Sequence, residues 1–190
     1  TVVLGCGGDY FADSEICAIL SAYGATYIDA LILPDETDEL FSAALSVGGQ
    51  LPVKTVYYAQ TIKPETLPVG ETKTPIDKTV LTFADGALTV AVQSSGAYRY
   101  AEILYGSFRA LVSFTEENDF HGDSASVLCA AGELPRNTDA ADFELTVFSA
   151  ADPGAADVPA LRSQAVCTTA ENGSISLLVF QDGAFQYRRM

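Results

Sequence analysis

Ile28-Asp29-Ala30-Leu31-Ile32-Leu33-Pro34-Asp35-Glu36-Thr37-Asp38-Glu39-Leu40 begins as an apolar run of strand length and breaks at a polar proline turn. It then continues into Leu40, Phe41, Ala44 and Leu45, which share one face of a helix that Gly48-Gly49 is expected to end. Working outward, residues 53–59 read as another strand. Upstream, Val2-Val3-Leu4 reads as a strand and Gly5-Cys6-Gly7-Gly8 as a turn, and Ile16, Ile19, Leu20 and Tyr23 fall at helical spacing before Gly24. The first sixty residues therefore spell β-α-β-α-β, the order of a layered α/β sheet covered by helices.

Beyond this the pattern changes. Residues 61–77 are rich in Pro, Thr, Lys and Glu without period and read as a surface connection. Strands at 80–83 and 88–92 flank Asp85-Gly86, a dipeptide suited to a tight turn because both residues tolerate positive φ. Strands at 98–104 and 108–114 form a second hairpin about Gly106-Ser107, and residues 123–131, stopped by Gly132, are predicted to be a short helix. Residues 143–148 and 164–169 read as strands, and 175–180 pairs with 184–188 across Asp182-Gly183.

Composition bounds the function. The 190 residues carry 10 Lys plus Arg against 25 Asp plus Glu, a net charge of −15, while 48% of residues are hydrophobic and 18% charged. That apolar content excludes a disordered chain, and the length suits a single domain over 1–190 that buries roughly 70% of its extended surface. The acidity opposes strong direct nucleic-acid binding, which draws on Lys and Arg at phosphates. Four cysteines without a Cys-x-x-Cys pair, and one His, give no zinc-finger spacing, so the thiols read as isolated and buried. No run of 18 apolar residues is present, so the chain reads as a soluble domain. It opens inside an apolar run, as a piece of a longer protein would.

The segment 2–8, the helix after it and the stretch 28–40 together resemble the metallo-β-lactamase superfamily, closest to the hydrolase-like domain of the DNA-uptake competence protein ComEC. In that family a strand ending in Asp-x-Gly-Gly leads to a helix, and Leu-Asp-x-Leu-x-Leu-Thr then runs into the metal motif His-x-His-x-Asp-His. Val53-Lys54-Thr55-Val56-Tyr57-Tyr58, residues 105–112 and the closing hairpin at 175–188 match later family strands in order, so the resemblance spans nearly the whole chain. It implies an α/β (α+β) fold, a four-layer αββα sandwich of mixed sheets, here without its first strands and with an exposed sheet edge that favours self-association. It also implies a parent integral membrane protein, the domain facing the extracytoplasmic side. Its partners would be the rest of that parent and other uptake proteins.

The same resemblance shows what is missing. With Asp38 on the family's Asp, Pro34, Glu36 and Glu39 stand where the three histidines belong. Thr115 lies where the family's later Asp falls, Ser149 where its later His falls, and Gly5 replaces the Asp of the opening turn. Metal-dependent hydrolysis needs imidazoles and carboxylates that hold a cation and lower the pKa of bound water to about 7. One His in the chain is too few for a His-rich dinuclear site, whatever the alignment. The expectation is therefore a pseudo-hydrolase with no catalytic residues, no metal and no cofactor.

Other candidates read more simply as structure. Glu36, Asp38 and Glu39 suit a hard cation, but an acidic first turn is also what the helix dipole favours, with Thr37 as N-cap. His121, beside Asp119, Asp123 and Ser124, reads as a solvated loop residue. Cys6 lies in the loop that would face the ancestral site but has no His nearby in sequence to activate it. Tyr98 and Tyr100 share a strand face, as base stacking requires, without the basic residues that would accompany it. Two alternatives stay open: a divergent hydrolase with an acidic Mg, Ca or Mn site, and an extracellular protein-interaction domain.

Overall fold

A computed structural model describes residues 1–5, 12–34, 38–67, 69–94, 99–114, 124–131, 141–149, 162–169 and 175–189. The chain divides into two compact units, Thr1–Asp77 and Lys78–Met190. In the first, β1 (Val2–Leu4), β2 (Ile28–Leu33), β3 (Val53–Ala59) and β4 (Thr72–Ile76) form a sheet in that order, with α1 (Ala12–Ala22) and α2 (Asp38–Gln50) in the crossovers. Every pairing in this sheet is parallel, with Leu31 opposite Val3 on one side and Val56 on the other.

Strand β2 is the centre of this unit. Ile28, Ala30 and Ile32 on one of its faces and Leu31 and Leu33 on the other are at most 1% exposed. A strand buried on both faces reads as a nearly continuous apolar run, and that is why residues 28–33, apolar but for Asp29 at the amino end, are legible without alternation. Leu31 and Leu33 join Val3, Val56 and Tyr58 of the sheet and Cys17, Ala44 and Val47 of the helices in one core. Gly24 (φ +77°) ends α1, with its own N–H on the carbonyl of Ser21 and the Ala25 N–H on that of Leu20, the paired bonds of a left-handed C-terminal cap.

Two features depart from the sequence expectation. Gly48-Gly49 does not stop α2: the helix runs to Gln50, and Leu51 still donates to the carbonyl of Val47. Gly48 serves close approach instead, since a Cβ there would lie 2.8 Å from Cβ of Val69. Within 61–77, expected as a bare connection, Pro64–Thr66 forms a 3₁₀ turn and Thr72–Ile76 adds β4 beside β3. Its Lys and Pro hid it, and Pro75 is tolerated because β4 is at the end of the sheet, where one side of the strand needs no N–H donor.

The second unit holds β5 (Lys78–Phe83), β6 (Leu88–Gln93), β7 (Tyr100–Tyr105), β8 (Phe108–Ser113), β9 (Ala125–Ala131), β10 (Asp142–Ser149) and β11 (Arg162–Thr168) in one seven-stranded sheet. Neighbours from β5 to β8 are antiparallel and those from β8 to β11 parallel. The β5–β6 turn takes positive φ at Ala84, Asp85 and Gly86, one residue more than the dipeptide alone requires. Residues 125–131 are a strand and not a helix. Val127 and Leu128 are adjacent in sequence yet both at most 1% exposed, which a strand between β8 and β10 permits because successive side chains point to opposite faces. A short apolar run with Ala at both ends carries no period that separates the two states.

The pair β12 (Ile175–Val179) and β13 (Phe185–Arg189) covers one face of the large sheet. Ile175, Leu177, Val179 and Phe185 pack on a core of Phe108, Ala110, Val127, Leu145 and Cys167, with the Phe185 and Phe108 rings edge to face at 5.7 Å. The β12–β13 hairpin supplies this layer. Tyr187 shares the inward face but stays 38% exposed. Tyr100 is half-buried and packs against the cluster of Leu111, Leu128 and Phe143; Tyr98 lies outside the described residues.

Candidate functional site

In a parallel sheet flanked by helices, ligands bind beyond the carboxyl ends of the strands. In the first unit that end is occupied by Gly5 after β1, Pro34 after β2 and the start of α2. Gly5 (φ +60°) donates its N–H to the carbonyl of Ile32 at 2.9 Å and so sets the direction in which the chain leaves β1. Pro34 is buried directly past β2, and Asp38 and Glu39 are the first two residues of α2. The backbone places Pro34, Asp38 and Glu39 at one end of one sheet. Cys6, Glu36, Thr37 and Thr115 lie outside the described residues, as do Asp119, His121 and Asp123.

The opposite end of the sheet carries structural charge. The Asp29 carboxylate, at the amino end of β2, accepts from Lys54 Nζ at 3.0 Å. Lys54 also lies 3.8 Å from the centre of the Tyr27 ring.

Ser149 is the last residue of β10, opposite Ala131 of β9, again at a carboxyl strand end. Ser124 sits at the other end of the same strands, where its hydroxyl accepts from the N–H of Asp142 at 3.0 Å. Its carbonyl accepts from Nη1 of Arg109 at 3.1 Å, and Nε of Arg109 is paired with Glu102. This chain of contacts fastens the starts of β9 and β10 to the β7–β8 hairpin and borders a cleft of about 310 Å³ lined by Ser126, Asp142, Glu144 and Gln164. Sequence reasoning missed it because its members come from five strands. The only local trace is Glu102 and Arg109, placed diagonally across one hairpin.

Among the described residues Cys129 and Cys167 are free thiols, and Cys17 is buried. Cys129 and Cys167 flank Val147 on the two neighbours of β10. Burial pushes the Cys129 thiol up from an ordinary 9.0 to about 11, so it is protonated at neutral pH and a poor nucleophile. Alkylation by iodoacetamide at pH 8, followed by peptide mass mapping, is expected to modify Cys129 about 100-fold more slowly in the native protein than in urea. Comparable rates in the two states would show that this thiol is accessible and ionised.

Pro34 presents only hydrocarbon from its side chain and is buried at the position where the resemblance asks for the first imidazole. Among the described residues no group of three or more His, Cys, Asp or Glu is arranged to hold a metal ion. The donor set of a two-metal histidine centre does not fit this chain. No helix among the described residues is long and apolar enough to cross a membrane.

No protein-family model matches the chain, and no curated protein sequence does. Solved structures do. The metallo-β-lactamase fold protein YhfI from Bacillus subtilis superposes with a TM-score of 0.54 at 12% identity, covering 98% of this chain and 87% of that one. Zn²⁺-bound PqqB from Methylobacterium extorquens superposes with a TM-score of 0.51 at 15% identity, over 73% of this chain and 55% of that one. With parallel and mixed sheets in the expected order and few helices, this chain has a metallo-β-lactamase-like α/β fold.

Proposed function

We propose that the chain is a non-catalytic metallo-β-lactamase-fold domain of a ComEC-like DNA-uptake protein, with an accessory or scaffold role on the extracytoplasmic side of its parent. The observation that carries the non-catalytic reading is the single His in 190 residues. The buried Pro34 at the end of β2 supports it, because a residue wedged there offers no donor to a cation. The net charge of −15 agrees with a role beside DNA transport that does not grip the polyanion directly. The link to DNA uptake rests on the sequence pattern at 2–8 and 28–40.

Calorimetric titration with zinc, manganese, magnesium and calcium tests the reading. No saturable heat is expected up to about 1 mM metal, the range that still detects weak hard-cation sites. Cleavage of a phosphodiester by the purified chain that a chelator abolishes would overturn it. Hydrophobic spans in the adjoining parent sequence are the expected companion finding.

A further inference from the structure

We propose that a cleft at the turn end of the large sheet, bordered by the β5–β6, β7–β8 and β12–β13 turns, binds a neutral sugar. Leu88 of β6 stands opposite Tyr105 of β7, so the first two turns lie at the same end of the sheet. The third meets them because Gly106 abuts Gln181 so closely that a Cβ there would overlap the Gln181 carbonyl oxygen. The cleft measures about 340 Å³ and is lined by Gly86, Thr89, Leu104, Tyr105, Gly106 and Gln181 among others. That volume falls at the low end for small-molecule sites, with room for about one or two sugar rings.

The lining supplies neutral polar groups and one aromatic ring. Thr89 carries a hydroxyl, Tyr105 a ring with a phenol, and Gln181 an amide that both donates and accepts. Thr89 and Tyr105 are half-buried, and none of these three side chains is engaged in a hydrogen bond among the described residues. Gly86 is exposed, with nothing within 4 Å of where a Cβ would stand, so its peptide group is open to a ligand. A sugar matches this set. Its C–H face packs on an aromatic ring, and its hydroxyls, each both donor and acceptor, pair with an amide, a hydroxyl and bare peptide groups.

Charge sets other small ligands aside. No Lys, Arg or His lines the cleft, and exposed Asp85 and Asp182 stand next in sequence to the lining residues Gly86 and Gln181. A phosphate would meet these carboxylates with no cation to hold it. An apolar ligand would strip water from Thr89 and Gln181 and return no hydrogen bond. The site is also built before a ligand arrives. Gly106 against Gln181, and the Ser107 hydroxyl donating to the carbonyl of Asp182, lock the turns that carry Tyr105 and Gln181 to each other, which lowers the ordering cost of binding.

Amide NMR of the isotope-labelled 190-residue chain decides this, with methyl glucoside, methyl galactoside, N-acetylglucosamine and cellobiose each added to about 50 mM. At least one of these sugars is expected to shift the Gly86 and Gly106 amide signals saturably, with a Kd of about 1–10 mM. Gln181→Ala, an exposed change that keeps the backbone, is expected to weaken that binding at least about fivefold. Tyr105→Leu, which keeps apolar bulk and removes the ring, is expected to weaken it at least about fivefold as well. Thymidine and inorganic phosphate are expected to leave both signals in place. No saturable shift with any of the sugars, an equal shift with thymidine or phosphate, or undiminished binding in either variant each overturns the proposal. Should Tyr105→Leu fail to fold, Gln181→Ala decides alone.

Discussion

Gly106→Ala is expected to lower stability by about 3 kcal/mol, from left-handed strain and a backbone collision together. Gly106 sits in the β7–β8 turn at φ +59°, and a Cβ there would overlap the carbonyl oxygen of Gln181 and lie 3.0 Å from its carbon. The β12–β13 turn is built reciprocally: Gly183 (φ +88°) faces Ser107, a Cβ on it would lie 2.9 Å from the Ser107 carbonyl carbon, and the Ser107 hydroxyl donates to the carbonyl of Asp182. The two turns therefore fit only while both are glycine at their contact. Displacing one lifts the hairpin that holds Phe185 on Phe108. At about 2–4 °C per kcal/mol for a chain of this length, the melting temperature should fall by about 10 °C. Gly86→Ala separates the causes, because Gly86 has φ +90° but open space around it. It should cost only about 1 kcal/mol of strain, and an equal loss in both variants would refute the interlock.

Phe148→Ala carries a comparable or larger penalty. Phe148 lies in β10, an interior strand of the large sheet beside the end strand β11, is fully buried, and stands between Ala130 and Thr168 on the neighbouring strands. These neighbours are too small to close over a missing ring, so most of the vacated volume persists as a cavity. The loss is expected at about 3–5 kcal/mol, against a total stability of about 5–15 kcal/mol for a domain. Chemical denaturation with an unchanged slope and a lower midpoint is the expected signature. A loss below about 1 kcal/mol would mean that the sheet repacks there freely.

What could be read in the residues followed their physics. Ile28-Asp29-Ala30-Leu31-Ile32-Leu33 and the helix after it were legible because a strand buried on both faces and a helix with one apolar face each leave a distinct pattern. The hairpins at Asp85-Gly86 and Asp182-Gly183 were legible because positive φ narrows the residues that suit a turn. The lack of a histidine set needed no structure at all, since a donor type not encoded cannot be supplied by folding. Residues 125–131 were not legible as a strand, because their conformation comes from hydrogen bonds to β8 and β10, contributed by chain on either side. β4, the extension of α2 through Gly48 and the Glu102–Arg109–Ser124 chain are of the same kind. Local sequence determined which segments are apolar, where the chain turns and which ligands it lacks. Pairing partners, the closeness of two backbones and the company of a charged side chain were decided by tertiary structure, because each is a property of two segments that the sequence keeps far apart.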